Sequence, residues 1–156
     1  MVLSSYSKIN LSLLVNSKQK SGLHNIQSYF CLINLKDKIK IKKIDGKSDK
    51  INFTGPFSKL INKKDNSIKS VLVLLRKLKL ISSCYSVVVK KNIPVFAGLG
   101  GGTSNAFTVM KYVLGKKLSK KNLNIIEKKI GSDLELFFYK QGFLKNLGSI
   151  INQRIK

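Results

Sequence analysis

Pro94-Val95-Phe96-Ala97-Gly98-Leu99-Gly100-Gly101-Gly102-Thr103-Ser104 runs almost directly into the apolar stretch 106–114. Four glycines in this run, Gly98, Gly100, Gly101 and Gly102, let the backbone turn tightly with no Cβ in the way, so that several N–H groups can converge on one anion. The expected anion is a phosphate. Thr103 and Ser104 stand where they could cap the following helix and offer hydroxyls, and the helix start adds its partial positive charge. Two widespread phosphate loops do not fit. A Walker A loop ends Gly-Lys-Ser/Thr, whereas these glycines lead into Thr103-Ser104-Asn105 with no lysine. The dinucleotide fingerprint would need a third glycine at position 103 and an acidic residue about twenty positions on.

Working outward, residues 87–89 form a strand that feeds the loop. From Asn66 onward Ile68, Val71, Leu72, Leu75 and Leu78 recur at helical spacing, with Asp65 or Asn66 as the cap. Near the N-terminus Ile9, Leu11, Leu13 and Val15 alternate with Lys8, Asn10 and Ser12, which predicts a strand carrying Lys8 and Asn10 on one face. A loop over 17–22 leads to the apolar run 26–35. Ile39 and Ile41, then Ile51 and Phe53, predict two short strands paired as a hairpin around Asp45-Gly46. Beyond the loop come a helix over 106–114, a second over 119–130 closed by Gly131, and strand-like segments at 134–139 and 142–147. Strands first, then helices interleaved with strands, predict an α+β fold. No repeat or low-complexity linker divides the 156 residues, a length suited to one domain with an ordinary core.

The glycine run resembles the phosphate loop of the GHMP small-molecule kinases, whose pattern is Pro, three residues, Gly-Leu-Gly, then small and hydroxyl residues. Pro94 and Gly98-Leu99-Gly100 match it. Four more segments match in order. Tyr6-Ser7-Lys8-Ile9-Asn10-Leu11 resembles the family's opening Ala-Lys-Leu/Ile-Asn-Leu, and Gly22-Leu23-His24 its Gly-Tyr-His. Asp65-Asn66 precedes a helix as in the family, and Gly131-Ser132-Asp133 resembles its Gly-Ala-Asp. The departures are Leu23 in place of tyrosine, Phe107 in place of a small residue and Glu135 in place of proline.

The resemblance covers residues 6–147. It implies the α+β N-terminal half of the GHMP fold, similar to the second domain of ribosomal protein S5, with residues 1–156 as the ATP-binding domain and the family's C-terminal domain absent from the sequence. It further implies ATP with Mg²⁺ as phosphoryl donor. Pro94, Val95, Phe96, Ala97, Gly98, Leu99, Gly100, Gly101, Gly102, Thr103 and Ser104 would bind the nucleotide. Lys8 and Asp133 would be catalytic: the aspartate takes the proton of the acceptor hydroxyl and the lysine keeps that carboxylate ionised. Asn10 and His24 would hold the acceptor. The triple glycine followed by Thr-Ser-Asn-Ala is most similar to the branch that phosphorylates the 2-hydroxyl of a cytidine-diphosphate-linked polyol in non-mevalonate isoprenoid synthesis. The sequence assigns no Mg²⁺ ligands.

The formal charge of +23, from 30 Lys and Arg against 7 Asp and Glu, would ordinarily suggest a nucleic-acid partner. Against this, only Arg76 and Arg154 are arginines, and the lysines run through every segment. Sequence-specific readers deploy arginine and stacking aromatics, so the charge reads as compositional drift and no nucleic-acid partner is expected. A basic RNA-binding module of the same fold, with a purely structural glycine loop, is the competing reading. Cys31 and Cys84 sit in apolar runs without metal-ligand spacing and read as buried, reduced thiols. The run 11–15 is too short for a signal segment, and no stretch approaches the ~18 apolar residues of a membrane span. A cytoplasmic location without membrane contact is expected.

Overall fold

The computed structural model describes residues 1–18, 24–115, 118–146 and 149–151. Its elements are β1 (Val2–Asn10), β2 (Leu14–Lys18), β3 (His24–Ile44), β4 (Lys50–Thr54), α1 (Ser67–Lys77), β5 (Cys84–Lys90), α2 (Gly101–Leu114), α3 (Lys120–Ile130), β6 (Gln141–Asn146) and β7 (Ser149–Ile151), with 3₁₀ turns at Ser58–Leu60 and Glu135–Phe138. The fold is α+β, as expected. Gly22 and Leu23 lie outside the described residues, as do the end of the 17–22 loop and Leu147 at the close of the last expected strand.

β3, 21 residues long, is the axis of the sheet. One half of it pairs with β1 on one side and β5 on the other, and β4 lies outside β5; its other half pairs with β2 and β6, and β7 lies outside β6. The register between β1 and β3 slips between Tyr6 and Ser7, a bulge that bends the strand just before Lys8. The expected hairpin around Asp45-Gly46 does not form. β5 inserts between β3 and β4, and β4 pairs with it in parallel, with Ile51 opposite Val87 and Phe53 opposite Val89. The β4–α1–β5 connection is therefore a crossover, whose helix covers the sheet. The expected strand at 134–139 is also absent. Its place is taken by the 3₁₀ turn Glu135–Phe138, in which the adjacent residues Leu136 and Phe137 are both buried, which strand alternation would not allow.

All three helices cover one face of the sheet. Ile39 and Ile41 of β3 and Val87 and Val89 of β5 pack against Ile68, Val71, Leu72 and Leu75 of α1, Val109 and Met110 of α2, and Ile126 of α3. Each such burial contributes about 1.5–3 kcal/mol. A smaller cluster of Phe30, Leu136 and Leu144 fills the other half of the sheet. Helix ends are set locally. The Asn66 side chain accepts the N–H of Lys69 and that of Ser119 accepts the N–H of Asn122, while Gly131 closes α3 with φ +145°. Cys31 and Cys84 are free and half-buried. Among the described residues no helix is long and apolar enough to cross a membrane.

Candidate active site

α2 begins inside the glycine run. Its N-cap is Gly100, in the left-handed region with φ +68°, and no side chain caps this end. Thr103 and Ser104 therefore lie within the first turn rather than before it, which corrects their expected capping role. The backbone N–H groups of Gly101, Gly102 and Thr103, which precede the first helical hydrogen bond from Ser104 to the Gly100 carbonyl at 2.8 Å, are free to meet an anion, and no acidic residue sits in that turn to oppose it. Ser104 is turned away. It is buried, and its hydroxyl contacts the Tyr6 carbonyl at 2.6 Å and the Ser5 hydroxyl at 2.8 Å, so it anchors α2 to β1.

A groove of about 230 Å³ follows the loop, lined by residues 94–103 together with Phe53, Asn66, Ser67 and Lys91 among others. The Ser67 hydroxyl donates to the Gly102 carbonyl at 2.7 Å. This bond ties the start of α1 to the start of α2, so two helix N-termini face one groove and add their partial positive charges there. Phe96 is 93% exposed with φ +63°, its ring standing free at the loop tip.

Behind the loop Lys8 is buried. Its backbone N–H donates to the Leu99 carbonyl at 3.0 Å, so the loop is laid along the edge of β1. Its ammonium lies 3.0 Å from Asp133 Oδ2 and donates to Asn10 Oδ1 at 2.6 Å. Lys8 and Asn10 share a face of β1, as the alternation indicated. Asn10 in turn donates to the buried Ser28 hydroxyl at 2.6 Å, which donates to the Ser12 carbonyl at 2.6 Å. Asp133 is positioned by the exit of α3: Gly131, two residues earlier, lies against Thr103 of α2. The structure thus brings Lys8, Asn10, Asp133 and the glycine loop together. His24 only opens β3, its backbone opposite Lys18.

Three features escape the sequence reading. Asp37, wholly buried, forms an ion pair with buried Lys91 and accepts the N–H groups of Asn92 at 2.7 Å and Ile93 at 2.9 Å, clamping the entrance of the loop. Among so many lysines, nothing in the sequence marks Lys91. Ser28, the last link behind Asn10, lies in an apolar run and carries no signal either. Glu127 is the third: burial first, then the charges of Glu135 and Asp133, push its carboxyl up to about 7. Phe107, unexpectedly large for its position, is accommodated by the rings of Phe137 at 5.9 Å and Phe138 at 4.7 Å.

Residues 66–140, from the cap of α1 past the 3₁₀ turn that follows Asp133, match the family model described as the GHMP kinases N terminal domain. The chain has the fold of the GHMP kinase N-terminal domain. It is similar to the 4-diphosphocytidyl-2-C-methyl-D-erythritol kinase of Pelagibacter ubique, 44% identical over 85% of this chain and 48% of the relative, and to that of Ureaplasma parvum, 33% identical over 97% and 58%. Among solved structures, a 4-(cytidine 5'-diphospho)-2C-methyl-D-erythritol kinase superimposes over the whole chain and 56% of its own length, with TM-score 0.73 and 20% identity. Homoserine kinase from Cytophaga hutchinsonii superimposes over 99% of this chain and 52% of its own, with TM-score 0.66 and 16% identity. At those identities the likeness of the solved structures is one of fold. The chain spans about half the length of the curated relatives it matches, and the matched part of the GHMP kinase is its N-terminal domain.

Proposed function

We propose that this chain is the nucleotide-binding half of an ATP-dependent kinase that phosphorylates the 2-hydroxyl of 4-diphosphocytidyl-2-C-methyl-D-erythritol, a step of non-mevalonate isoprenoid synthesis in the cytoplasm. The observation that carries the reading is the ion pair of Lys8 with Asp133 at 3.0 Å, formed where β1 touches the glycine loop. Phosphoryl transfer needs charge neutralisation, alignment and a destination for the hydroxyl proton. The N–H groups of Gly101 and Gly102 take the phosphate charge. Asp133, about a third exposed, receives the proton. Lys8 orients that carboxylate, and Asn10, itself fixed by Ser28, stands next to the acceptor. His24 contacts the cytidyl end. Mg²⁺ binds largely through phosphate oxygens and water, which suits a site where no three His, Cys, Asp or Glu side chains converge among the described residues.

Titration with a fluorescent ATP analogue tests the first half of this reading: saturable binding displaced by ATP is expected, and its absence refutes it. For catalysis the chain is mixed with the C-terminal half of the Pelagibacter relative. Because Lys8 and Asp133 act as one unit, Lys8→Ala, Asp133→Asn and the double variant should show similarly depressed kcat. Turnover at the unmodified rate in either single variant would remove the pair from the mechanism.

A further inference from the structure

The face of the sheet that carries no helix gathers the lysines into an ordered array. Lys38, Lys40 and Lys42 are exposed on β3, alternating with the buried Ile39 and Ile41. The pairing register extends each of them into a row. Ser4, Lys38, Lys90 and Thr54 lie side by side across β1, β3, β5 and β4; the next row is Val2, Lys40, Val88 and Asn52; the third is Lys42, Ser86 and Lys50. Lys36, opposite Tyr6, continues the array and holds its ammonium 5.2 Å from the centre of the Tyr6 ring. No carboxylate falls in any row. Asp37, the one acidic residue of β3, points to the other side and is buried on Lys91. A groove of about 550 Å³ crosses this face, lined by Met1, Val2, Lys40, Lys42, Ser86 and Val88 among others. Charge that looks evenly dispersed along the sequence is therefore clustered in space.

We propose that this face binds single-stranded RNA, laid along β3, independently of the kinase site. Alternate residues of a strand repeat every ~6.6 Å, so the three lysines form a rail for an extended polyanionic backbone. Between them Ser4, Ser86, Thr54 and Asn52 supply donors for phosphate and sugar oxygens, and Tyr6 offers a ring on which a base can stack. Those polar side chains favour a polynucleotide over an anionic membrane, because the exposed aliphatic side chains of this face are confined to Met1 and Val2 at one end, with Val88 half-buried, too few for insertion among lipid chains.

The test is fluorescence anisotropy of a labelled oligouridylate against the full chain over a range of salt. With six lysines engaged, the slope of log affinity against log salt is expected near −4, since each neutralised phosphate on a single strand contributes about −0.7. Lys38→Glu, Lys40→Glu and Lys42→Glu together should lower affinity at least tenfold and reduce the slope by about 2. The matched control, Lys120→Glu, Lys121→Glu and Lys128→Glu on α3, changes net charge equally and should leave the slope nearly unchanged. If the glutamate triple fails to fold by circular dichroism, the same three positions as glutamine give the same reading. Equal losses in the two triples would show a diffuse net-charge effect and overturn the proposal. Binding to phosphatidylserine vesicles that the sheet triple abolishes and oligouridylate does not displace would overturn it in favour of a membrane.

Discussion

Gly100 faces the Lys8 side chain with no free room for a Cβ. A Cβ at position 100 would sit 3.3 Å from Lys8 Cγ and 3.1 Å from the tip of the Phe137 ring, and the residue has φ +68°. Glycine here serves two purposes: it permits the left-handed turn that opens α2, and it lets the loop close onto the lysine that pairs with Asp133. Gly98 has a similar φ of +72° but open space around it. Gly98→Ala should therefore lose only the backbone strain, roughly 1–2 kcal/mol, whereas Gly100→Ala adds crowding against Lys8 and Phe137 and should lose more. Chemical denaturation of the two variants measures the difference. Equal losses would mean that the contact with Lys8 carries no weight.

Asp37 gives a sharper stability prediction. It is buried with Lys91 and accepts two backbone N–H groups at the mouth of the loop. Asp37→Ala leaves a buried ammonium unpaired and two donors unmet, a loss of about 3–5 kcal/mol. Combining Asp37→Asn with Lys91→Met removes the stranded charge and should recover a large part of it. Urea denaturation of the single and double variants checks this; a double variant no more stable than Asp37→Ala would contradict it.

Glu127 should make stability depend on pH. Its carboxyl is pushed up to about 7 in the folded chain, by burial and by the neighbouring Glu135 and Asp133, so between the ordinary glutamate range and about 7 the folded state holds a proton that the unfolded state has released. The contribution of this group is present in full below that window and is lost as pH rises through about 7. Glu127→Gln, which keeps the shape without the charge, should melt with the parent chain near about pH 4 and above it near about pH 8. Parallel melting curves at both values would show that Glu127 titrates normally.

How much of this was legible depended on whether the cause was local. Asn66 and Gly131 announce helix ends because a cap is decided within a few residues, and the glycine run with its following helix is a contiguous signal. The pairing of Lys8 with Asp133 was reached through resemblance alone, since neither residue type is distinctive by itself. Period-two alternation at Ile39, Ile41, Ile51 and Phe53 says that two strands exist, but not that β5, more than thirty residues further on, will come between them. Leu136 and Phe137 read as strand because they are apolar in sequence, while their burial side by side requires a 3₁₀ turn. The lysine rows on the open face were invisible for the same reason: they are assembled by register across four strands, and register is written in no single segment.

Phe96 carries the last prediction. A bulky residue at φ +63° is strained, and with its ring 93% exposed it gains nothing from packing in return. Relieving the left-handed backbone by Phe96→Gly is worth roughly 1–2 kcal/mol, while the added freedom of glycine in the unfolded chain takes back about 0.5–1 kcal/mol. A small net gain in stability should remain. On the proposed function, an exposed aromatic in a strained turn at the rim of the groove stands where it can contact the ligand, and the flat ring suits the face of a nucleotide base. Phe96→Gly should therefore melt slightly higher than the parent chain and bind the fluorescent ATP analogue several-fold more weakly, whereas Phe96→Tyr should retain the affinity. A glycine variant that gains stability with undiminished affinity would show that the ring plays no part in holding the nucleotide.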